Sequence, residues 1–425
     1  MTGGGAGAKI NGIIQQYKVG GGSISAGDFV EYVSGVGAGC TVFSGVNSWG
    51  YVGAAKIDDS RALLVLGYTS TLYGVVVTVR GDTITAGTPT QLETLSGYTG
   101  TPKAVLVDTN KALVLYTEGS YDVTYGKVVT ISGTALTAGT RALIAGTGGD
   151  WGAMSVLDAI ALTANKVLMI RNDYDSFPYL YGQVLTVSGT GITVGSEKLL
   201  DNDSNTVKHA HGVLIGTNKV LLVYGNSNIY ARTLTISDTS ITLGTRASQG
   251  TYWSYLSEQR QTSLAPLGSN RALFVFPGGS AAAVSGVVVS VSGDTVTFGT
   301  ATQISAPTGN MDGLTLLATG TDEAAVFFHY NPFYMVPVVV ESTVITAQSA
   351  TALAGAAADG HRPGNVQMLD ACAVVLSFDA TNSTWDLIGR VWASGVFPAS
   401  RSLVSGVAKT GGGTGDTIQV YVPDI

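Results

Sequence analysis

The chain has few charged residues. Only 12% of its 425 residues are Asp, Glu, Lys or Arg, against roughly 25% in ordinary globular domains. The 22 basic and 29 acidic residues give a net charge of −7, and the basic ones are scattered along the chain. A nucleic-acid surface needs clustered Lys and Arg to neutralise phosphates. The composition therefore argues against a nucleic-acid partner.

Cysteine is almost absent. The chain contains only Cys40 and Cys372, which are too few for a disulfide framework. Two unlinked, reduced thiols are the simpler expectation. The alternative is a link between them, because closure of a ring of repeats would bring the two ends of the chain together.

Long apolar runs are also missing. The mean hydropathy is +0.29, yet no apolar stretch approaches the roughly 18 residues that a membrane-spanning helix requires. The first nine residues contain no apolar core, so they do not read as a secretory signal. We expect no membrane insertion, and we attribute the high hydropathy to packing between β-sheets.

What the chain does contain is a repeat. A unit of about fifty residues occurs seven times, the period of propeller-like arrays. Each unit has a short apolar run, a tight polar turn, a second apolar run, a variable loop and a hairpin of the form Val-Ser-Gly-Asp-Thr-Val-Thr-Phe-Gly-Thr. The copies of this hairpin are Val79–Thr88, Ile131–Thr140, Val187–Ser196, Ile236–Thr245, Val291–Thr300, Val340–Ser349 and Val391–Ser400.

Each unit predicts four short antiparallel strands. In the second unit these are Ala104–Val107, Ala112–Tyr116, Gly126–Ile131 and Ala135–Ala138. All four are rich in Val, Leu, Ile, Ala and Thr, and they are bounded by Gly, Asn, Asp and Ser, which is the signal for strands and hairpins. Seven such units predict an all-β fold, a seven-bladed β-propeller of four-stranded antiparallel blades. A parallel β-helix is the rival fold, but its turns do not alternate between tight and long.

The two ends of the chain fall outside the repeat. Each end carries a Gly-Asp turn followed by an alternating strand, at Gly27-Asp28 and at Gly415-Asp416. We predict that residues 1–35 and 404–425 pair into a small β docking domain, with the propeller at residues 36–403 inserted between them. The alternative is that each end adds an outer strand to a blade.

The repeat and these ends together resemble virion proteins of tailed bacteriophages. The resemblance is carried by the hairpin repeat, Ile10–Tyr17, Ser25–Val33, Gly406–Lys409 and Gly415–Ile418. It is a resemblance to tail-fibre, head-fibre or capsid-decoration proteins, and it covers nearly the whole chain. It implies a structural protein on the virion surface that is assembled in the host cytoplasm. It also implies no catalysis, capsid or tail proteins as partners, and a trimer as one oligomeric state.

The topology predicts which end of the sheets carries recognition. In a four-stranded blade the first-to-second and third-to-fourth turns lie at one end, and these turns are short and uniform here. The second-to-third loops lie at the other end and differ in every unit, and variable loops on a rigid scaffold carry recognition. These loops are Tyr68–Tyr73, Thr117–Tyr125, Arg171–Tyr181, Gly225–Tyr230, Pro277–Ser285, His329–Val336 and Asp379–Leu387.

Aromatic residues concentrate at this loop end. Exposed aromatic rings offer an apolar face, and Tyr and Trp add a polar handle, which suits both sugar rings and protein partners. The alternative is that the rings cover blade edges, and the constant interval of 102 residues between Trp49, Trp151 and Trp253 favours packing for those three. The candidate binding residues are Tyr174, Phe177, Tyr179, Tyr252, Trp253, Tyr255, Tyr330, Phe333 and Tyr334.

The sequence predicts no metal or other cofactor. Asp201, Asp203 and Asn205 begin like a calcium loop, but the Gly at the sixth position and the acid at the twelfth are missing. His209 and His211 would share one side of a strand, with no third ligand indicated.

Three functions follow from these observations. The favoured one is a phage virion surface protein that docks through its ends and attaches to host-surface glycan or protein. The second is a bacterial lectin-like adhesin. The third, a polysaccharide-degrading propeller, would need two carboxylates at a fixed separation, which the sequence neither reveals nor excludes. We therefore expect a protein that is not an enzyme.

Overall fold

The computed structural model describes residues between 12 and 423, with gaps of which the longest are 19–28, 147–154, 252–261, 353–361 and 409–416. It describes side chains only within residues 41–350, apart from the same gaps and a few residues beside them. The described residues contain β-strands and no helix, which confirms the all-β prediction. Accordingly, they include no helix that could cross a membrane.

The first half of the chain forms three short strands and then three five-stranded sheets. The opening strands are β1 (Gly12–Lys18), β2 (Phe29–Val36) and β3 (Cys40–Val46). The first sheet contains β4 (Tyr51–Lys56), β5 (Arg61–Tyr68), β6 (Thr71–Arg80), β7 (Thr83–Ala86) and β8 (Thr90–Thr94). The second contains β9 (Lys103–Asp108), β10 (Lys111–Glu118), β11 (Val123–Ser132), β12 (Ala135–Ala138) and β13 (Ala142–Ala145). The third contains β14 (Ser155–Thr163), β15 (Lys166–Asp173), β16 (Tyr179–Ser188), β17 (Gly191–Val194) and β18 (Lys198–Asp201).

Three more five-stranded sheets and the closing strands follow. The fourth sheet contains β19 (His209–Gly216), β20 (Lys219–Gly225), β21 (Asn228–Ser237), β22 (Ser240–Leu243) and β23 (Ala247–Thr251). The fifth contains β24 (Ser263–Pro266), β25 (Arg271–Pro277), β26 (Val284–Ser292), β27 (Thr295–Phe298) and β28 (Thr302–Ser305). The sixth contains β29 (Gly313–Gly320), β30 (Glu323–His329), β31 (Phe333–Glu341), β32 (Val344–Ala347) and β33 (Thr351–Ala352). The closing strands are β34 (Arg362–Leu369), β35 (Cys372–Thr381), β36 (Thr384–Pro398), β37 (Gly406–Ala408) and β38 (Thr417–Pro423).

Five strands, rather than the predicted four, make up each of these six sheets. The third strand pairs with the second along one edge, and along its other edge it pairs with two short strands in succession. In the second sheet, β11 pairs with β12 near its C-terminal end and with β13 near its N-terminal end. The break between the two short strands falls at Gly139, whose N–H donates to the carbonyl of Val128 at 2.8 Å. A glycine makes the equivalent bond in each of the first five sheets, and this marker glycine divides the outer strand; the residues are Gly87, Gly139, Gly195, Gly244 and Gly299. In the sixth sheet Gln348 stands in its place.

Apolar layers lie between successive sheets. In the second strand of the second sheet, Ala112, Val114 and Tyr116 pack against the first sheet. The alternating residues Leu113 and Leu115 pack against the third sheet. Because both faces are covered, the strand reads as a continuous apolar run. Equivalent layers join the third to the fourth, the fourth to the fifth and the fifth to the sixth sheet.

The first strands of the sheets lie side by side. Neighbouring first strands follow one another in the order β4, β9, β14, β19, β24, β29 and β34, and β34 also lies next to β4. The strands at the chain ends join β34 in one eight-stranded sheet, the terminal sheet, in the order β1-β38-β37-β2-β36-β35-β34 with β3 also on β36. Within it, Gly12–Lys18 pairs antiparallel with Thr417–Pro423.

Several second-to-third loops are shorter than the sequence indicates. Strand pairing continues to Tyr68 and Thr71 in the first sheet, to Gly225 and Ile229 in the fourth, and to Thr381 and Thr384 in the terminal sheet. Cross-strand pairing there extends over residues that the sequence assigned to loops. The longer connections are in the second, third, fifth and sixth sheets.

Candidate binding sites at the loop end of the sheets

Two ends of the sheets can now be distinguished. The turn end carries the first-to-second turns and the hairpins after the third strands, and the loop end carries the second-to-third loops and the connections between sheets. At the turn end, basic side chains reach the hairpin of the next sheet. Arg61 Nη1 donates to the carbonyl of Gly133 at 2.7 Å, and Lys219 Nζ lies 2.8 Å from Asp294 Oδ1. The basic side chains at the turn end thus hold neighbouring sheets together.

Polar clusters occupy the loop end between successive sheets. The first cluster, between the first and second sheets, consists of Glu93, Tyr116, Glu118, Tyr125, Lys127 and Arg141. The second cluster, between the third and fourth sheets, consists of Asp201, Tyr224, Tyr230, Arg232 and Arg246.

The inner part of the first cluster is built around Glu93, which is half-buried. Lys127 Nζ lies 2.7 Å from Glu93 Oε2 and donates to the carbonyl of Leu92 at 2.7 Å. The Tyr116 hydroxyl donates to the same carboxylate at 3.4 Å. Burial alone would raise the pKa of Glu93, but the hydrogen bond and charge of Lys127 outweigh it and lower that pKa. Burial, reinforced by Glu93, raises the pKa of Tyr116, so its hydroxyl remains a donor.

The outer part of the first cluster presents an arginine at the surface. The Arg141 guanidinium stacks over the Tyr125 ring, 4.3 Å from its centroid, and Nη1 lies 2.7 Å from Glu118 Oε2. The Arg141 side chain is 40% exposed, whereas the carboxylate it holds is only 9% exposed. The Arg141 guanidinium therefore contacts solvent and the Tyr125 ring, and its anionic partner Glu118 is buried beneath it.

The second cluster reproduces this arrangement. Arg246 stacks over Tyr230 at 4.6 Å, and its Nη1 lies 3.3 Å from both carboxylate oxygens of Asp201. The Tyr224 hydroxyl donates to the same carboxylate, and Arg232 donates to the carbonyl of Leu200 at 2.6 Å. Asp201 is thus buried at the end of β18 and bound by Tyr and Arg. Cationic and hydroxyl donors occupy the oxygens of Asp201, which the sequence pattern indicated only weakly as a calcium ligand. Asp203 and Asn205 lie outside the described residues.

A third arginine–tyrosine stack lies between the two clusters, but here the arginine and its carboxylate partner occupy different positions from those in the clusters. In the third sheet, Arg171 occupies the strand position that holds Tyr116 and Tyr224 in the clusters, and it stacks over Tyr181 at 4.8 Å. It also forms an ion pair with Glu197, which stands where the clusters have arginine. Three consecutive sheets therefore place an arginine on a tyrosine at the loop end.

A second polar set lies on the first strands. In sheets one to six, the residue five positions before the first-to-second turn is Gly53, Lys103, Asp158, His211, Ser263 and Thr315. We call these six residues the inner-strand ring. Asp158 Oδ2 accepts the N–H of Gly212 in the next sheet at 2.8 Å, and Ser263 Oγ accepts that of Leu316 at 3.0 Å. A Cβ at Gly53 would lie 2.4 Å from the carbonyl oxygen of Pro102.

The ionisable members of the ring, Lys103, Asp158 and His211, are half-buried. Burial lowers the pKa of Lys103 and raises that of Asp158, so each is shifted towards its neutral form. Burial lowers the pKa of His211 to about 3, and its Nε2 lies 2.8 Å from Thr262 Oγ1. His209, two residues earlier, is fully buried and its pKa is also lowered to about 3 by burial.

The two histidines share one side of β19, as predicted. Their rings lie 5.9 Å and 6.4 Å from the ring of Phe274 in the next sheet. Neither nitrogen of His209 has a hydrogen-bond partner. No group of three His, Cys, Asp or Glu that could hold a metal ion occurs among the described residues.

The aromatic residues predicted from the sequence lie mostly outside the described residues. This holds for Tyr174, Phe177, Tyr252, Trp253, Tyr255 and Tyr330. Phe333 lies in β31, with its side chain outside the description. Tyr179 is half-buried with its ring 6.3 Å from that of Tyr181, and Tyr334 stacks on Phe328 at 5.6 Å. Their role in binding stays a prediction.

Sequence reasoning missed the clusters and the inner-strand ring. A signal for the clusters was present, because Arg141 and Arg246 each come two residues after the marker glycine. The ring was visible as one polar position shared by five successive repeats. Neither pattern, however, shows which sheets meet.

No protein-family model matches the chain, and no curated protein sequence matches it at a significant level. Solved structures do resemble it. A putative 6-phosphogluconolactonase from Bacteroides fragilis is 10% identical, with a TM-score of 0.48, over 81% of this chain and 95% of that one. Aleuria aurantia lectin in complex with alpha-methyl-L-fucoside is 12% identical, with a TM-score of 0.43, over 75% and 100%. Trypanosoma rangeli sialidase in complex with sialic acid is 11% identical, with a TM-score of 0.43, over 72% and 55%. At this level of similarity they carry no conclusion about what the chain binds.

Proposed function

We propose that the chain is a seven-bladed β-propeller that binds glycan at its loop end and has no catalytic role. Seven blades are supported by the contacts of the first strands, because β34 lies beside both β29 and β4. The terminal sheet would be the seventh blade, extended by the strands of the chain ends. The pairing of β1 with β38 supports an association of the two chain ends. Because the same sheet continues through β2 to β36, it also supports the alternative that the ends add outer strands to a blade.

The observation that carries glycan binding is the stacked arginine on three successive sheets. Sugar hydroxyls need fixed donors and acceptors, and sugar rings need an apolar face. Arg141 and Arg246 present partly exposed donors beside tyrosine rings, and buried carboxylates fix their orientation. Arg141 and Arg246 give two equivalent exposed sites, which raises avidity for a polysaccharide without any new contact.

The location of the protein is a proposal that rests on the resemblance to phage proteins. On this proposal the chain ends dock on capsid or tail proteins of a tailed-phage virion, and the loop end points outward to host-surface glycan or protein. The bacterial adhesin is the competing location for the same binding surface. Mass spectrometry of purified virions separates the two, since a virion protein must be present in the particles.

The binding proposal is tested by removing both exposed arginines. Arg141→Ala combined with Arg246→Ala should weaken binding to host-surface polysaccharide by more than about a hundred-fold, because each charge-assisted hydrogen bond contributes about 1.5–3 kcal/mol. The measurement is biolayer interferometry on immobilised polysaccharide. Lys166→Ala combined with Lys219→Ala removes two cations at the turn end and serves as the control, with unchanged binding expected.

Two results would contradict the proposal. The first is equal loss of binding in the arginine pair and the lysine pair, which would mean that net charge alone governs attachment. The second is release of reducing ends from the polysaccharide during incubation with the wild-type protein, which would mean that the protein is an enzyme.

A further inference from the structure

An exposed leucine lies beside the arginine–tyrosine stack of the first cluster. Leu143 of β13 pairs with Tyr125 of β11, and it is 55% exposed. Directly opposite residues of antiparallel strands lie on one face of a sheet, with their Cβ atoms about 4.5–5.5 Å apart. Leu143 therefore lies on the same face as Tyr125, the face that packs towards the first sheet and over which Arg141 stacks.

The leucine stands at a strand position that is polar in other sheets. The residue that pairs with the corresponding third-strand residue is Gln91 in the first sheet, Ser248 in the fourth and Gln303 in the fifth. The second and third sheets have Leu143 and Leu199 there. Both are among the four large hydrophobic residues that are exposed in the described part of the chain. Exposed apolar surface with a polar rim marks ligand sites better than scattered apolar residues do.

The second sheet combines this leucine with an exposed arginine. The Arg141 side chain is 40% exposed, whereas that of Arg171 in the third sheet is only 5% exposed. Glu118 balances the charge of Arg141 through one carboxylate oxygen, and its other oxygen accepts the N–H of Ser96 at 2.7 Å. Glu118 is thus a fixed support for the guanidinium. The first cluster therefore offers a hydrogen-bond donor, an aromatic ring and an aliphatic side chain next to one another.

We infer that the first cluster binds an N-acetylated amino sugar, with the acetyl methyl group on Leu143 and the acetyl carbonyl oxygen on the Arg141 guanidinium. This inference rests on the proposed glycan-binding function and names the sugar class for one of its sites. An acetamido group carries a methyl group and a carbonyl acceptor on one carbon, so it needs an apolar contact and a donor side by side. A plain hexose has only a hydroxyl there and leaves Leu143 in contact with water. The second cluster has Ser248 at this position and lacks the apolar contact.

The test compares sugars with and without the acetamido group. The probes are N-acetylglucosamine, N-acetylgalactosamine and N-acetylmannosamine, each beside its parent hexose, titrated into the full chain and followed by ligand-observed NMR. At least one N-acetyl sugar should bind roughly ten- to hundred-fold more tightly than its parent, because it gains a buried methyl group and a charge-assisted hydrogen bond. In saturation-transfer spectra its acetyl methyl protons should give the strongest signal, since they contact Leu143.

Three substitutions at the same strand position locate the site. Leu143→Ser should lower the affinity for the preferred N-acetyl sugar about three- to ten-fold and leave that for its parent hexose unchanged. Leu199→Ser, beside a buried arginine, is the matched control and should change neither affinity. Adding Ser248→Leu to Leu143→Ser should restore the preference, because Arg246 is exposed beside Tyr230. All three positions are exposed, so the melting temperature should change little and lost binding would not reflect unfolding.

Three results would overturn the inference. The first is that no N-acetyl sugar binds more tightly than its parent hexose. The second is a preference that Leu143→Ser leaves intact, or that Leu199→Ser reduces equally. The third is binding of acetamide as tightly as the N-acetyl sugars. If polysaccharide binding still depends on Arg141 and Arg246 in these cases, the proposed function stands without this sugar class. If the arginine pair has no effect on polysaccharide binding but Leu143→Ser loses the preference, the amino-sugar site stands alone.

Discussion

The turn end and the loop end of the same sheets use charged residues in opposite ways. At the turn end, half-buried lysine and arginine side chains bind the hairpin of the next sheet, as Lys166 does at 2.6 Å from the exposed Asp238. At the loop end, carboxylates such as Asp201 are buried and arginines partly cover them. One end repeats a single connection, and the other varies its clusters from sheet to sheet.

The comparison teaches where variation is tolerated. A connection that recurs at most junctions keeps the sheets in register, so its residues show up as a repeat. Where the sheets are already joined, residues are free to differ. The third sheet is an example, because Arg171 stands where the clusters have tyrosine and Glu197 stands where they have arginine. The varied end is the one on which we expect binding.

The sharpest test of the comparison removes one carboxylate at each end. Asp201→Ala leaves Arg232 and the Tyr224 hydroxyl buried without their anion, so the free energy of unfolding should fall by about 3–5 kcal/mol. Asp238→Asn removes the charge of an exposed partner of Lys166, keeps a residue type that tolerates the positive φ of 55° at this position, and should cost less than about 1 kcal/mol. Urea unfolding of both variants measures the difference. Equal losses would mean that the two ends do not differ in burial of charge.

Acid should loosen the loop end before the turn end. The pKa of both His209 and His211 is lowered to about 3 in the folded chain, from an ordinary value of 6.5. Below pH 6.5 the unfolded chain therefore binds protons that the folded chain does not, and stability falls as the pH drops towards 3. Between pH 7.5 and 5.5 the two imidazoles together should remove about 2–3 kcal/mol. Asp158, with its raised pKa, acts in the opposite direction at lower pH.

The comparison with a double variant isolates the histidines. His209→Gln combined with His211→Asn should flatten the dependence of unfolding free energy on pH between 7.5 and 5.5. At the turn end, the hydrogen bond from Lys219 lowers the pKa of Asp294, so that contact persists in this range. A wild-type protein and a double variant with the same pH dependence would show that these imidazoles are not shielded.

The smallest expected effect concerns the glycine that marks the repeat. A Cβ at Gly244 would lie 2.1 Å from Thr233 Oγ1 and 3.0 Å from the carbonyl oxygen of Asp294 in the next sheet. Gly244→Ala should therefore destabilise the protein by about 1–3 kcal/mol through overpacking. Gly191→Ala, in a hairpin where the nearest atom would be 3.4 Å away, should change stability by less than about 0.5 kcal/mol. Thermal unfolding compares them, and similar melting temperatures would remove the packing explanation for the marker glycine.

Much of the fold could be predicted from local pattern. The second strand of each five-stranded sheet is buried on both faces, so it appears as an apolar run between a polar turn and a loop. The tight turn was also readable, because Asn218 and Asn270 adopt positive φ angles of 55° and 61° that asparagine tolerates. Their carbonyls accept the N–H of Ile236 and Val291 at 2.8 Å, which ties each turn to the third strand.

The candidate sites were less predictable because their members are far apart in sequence. Glu93 meets Tyr116 and Lys127 only because the last strand of one sheet lies against the second and third strands of the next. The sequence pattern indicated aromatic residues in loops as the candidate binding residues. The tyrosines that stack with arginine, Tyr125 and Tyr230, lie in strands instead.

The sequence by itself determined the period, the strands, the polar turns and the position of the marker glycine, since each depends on residues within one unit. The tertiary structure decided that this glycine divides the outer strand and accommodates the next hairpin. It also decided that Lys103, Asp158 and His211 share one ring, because their proximity arises from the packing of first strands around the sheets. Local chemistry sets each strand, and only the contact between sheets brings charges of different repeats together.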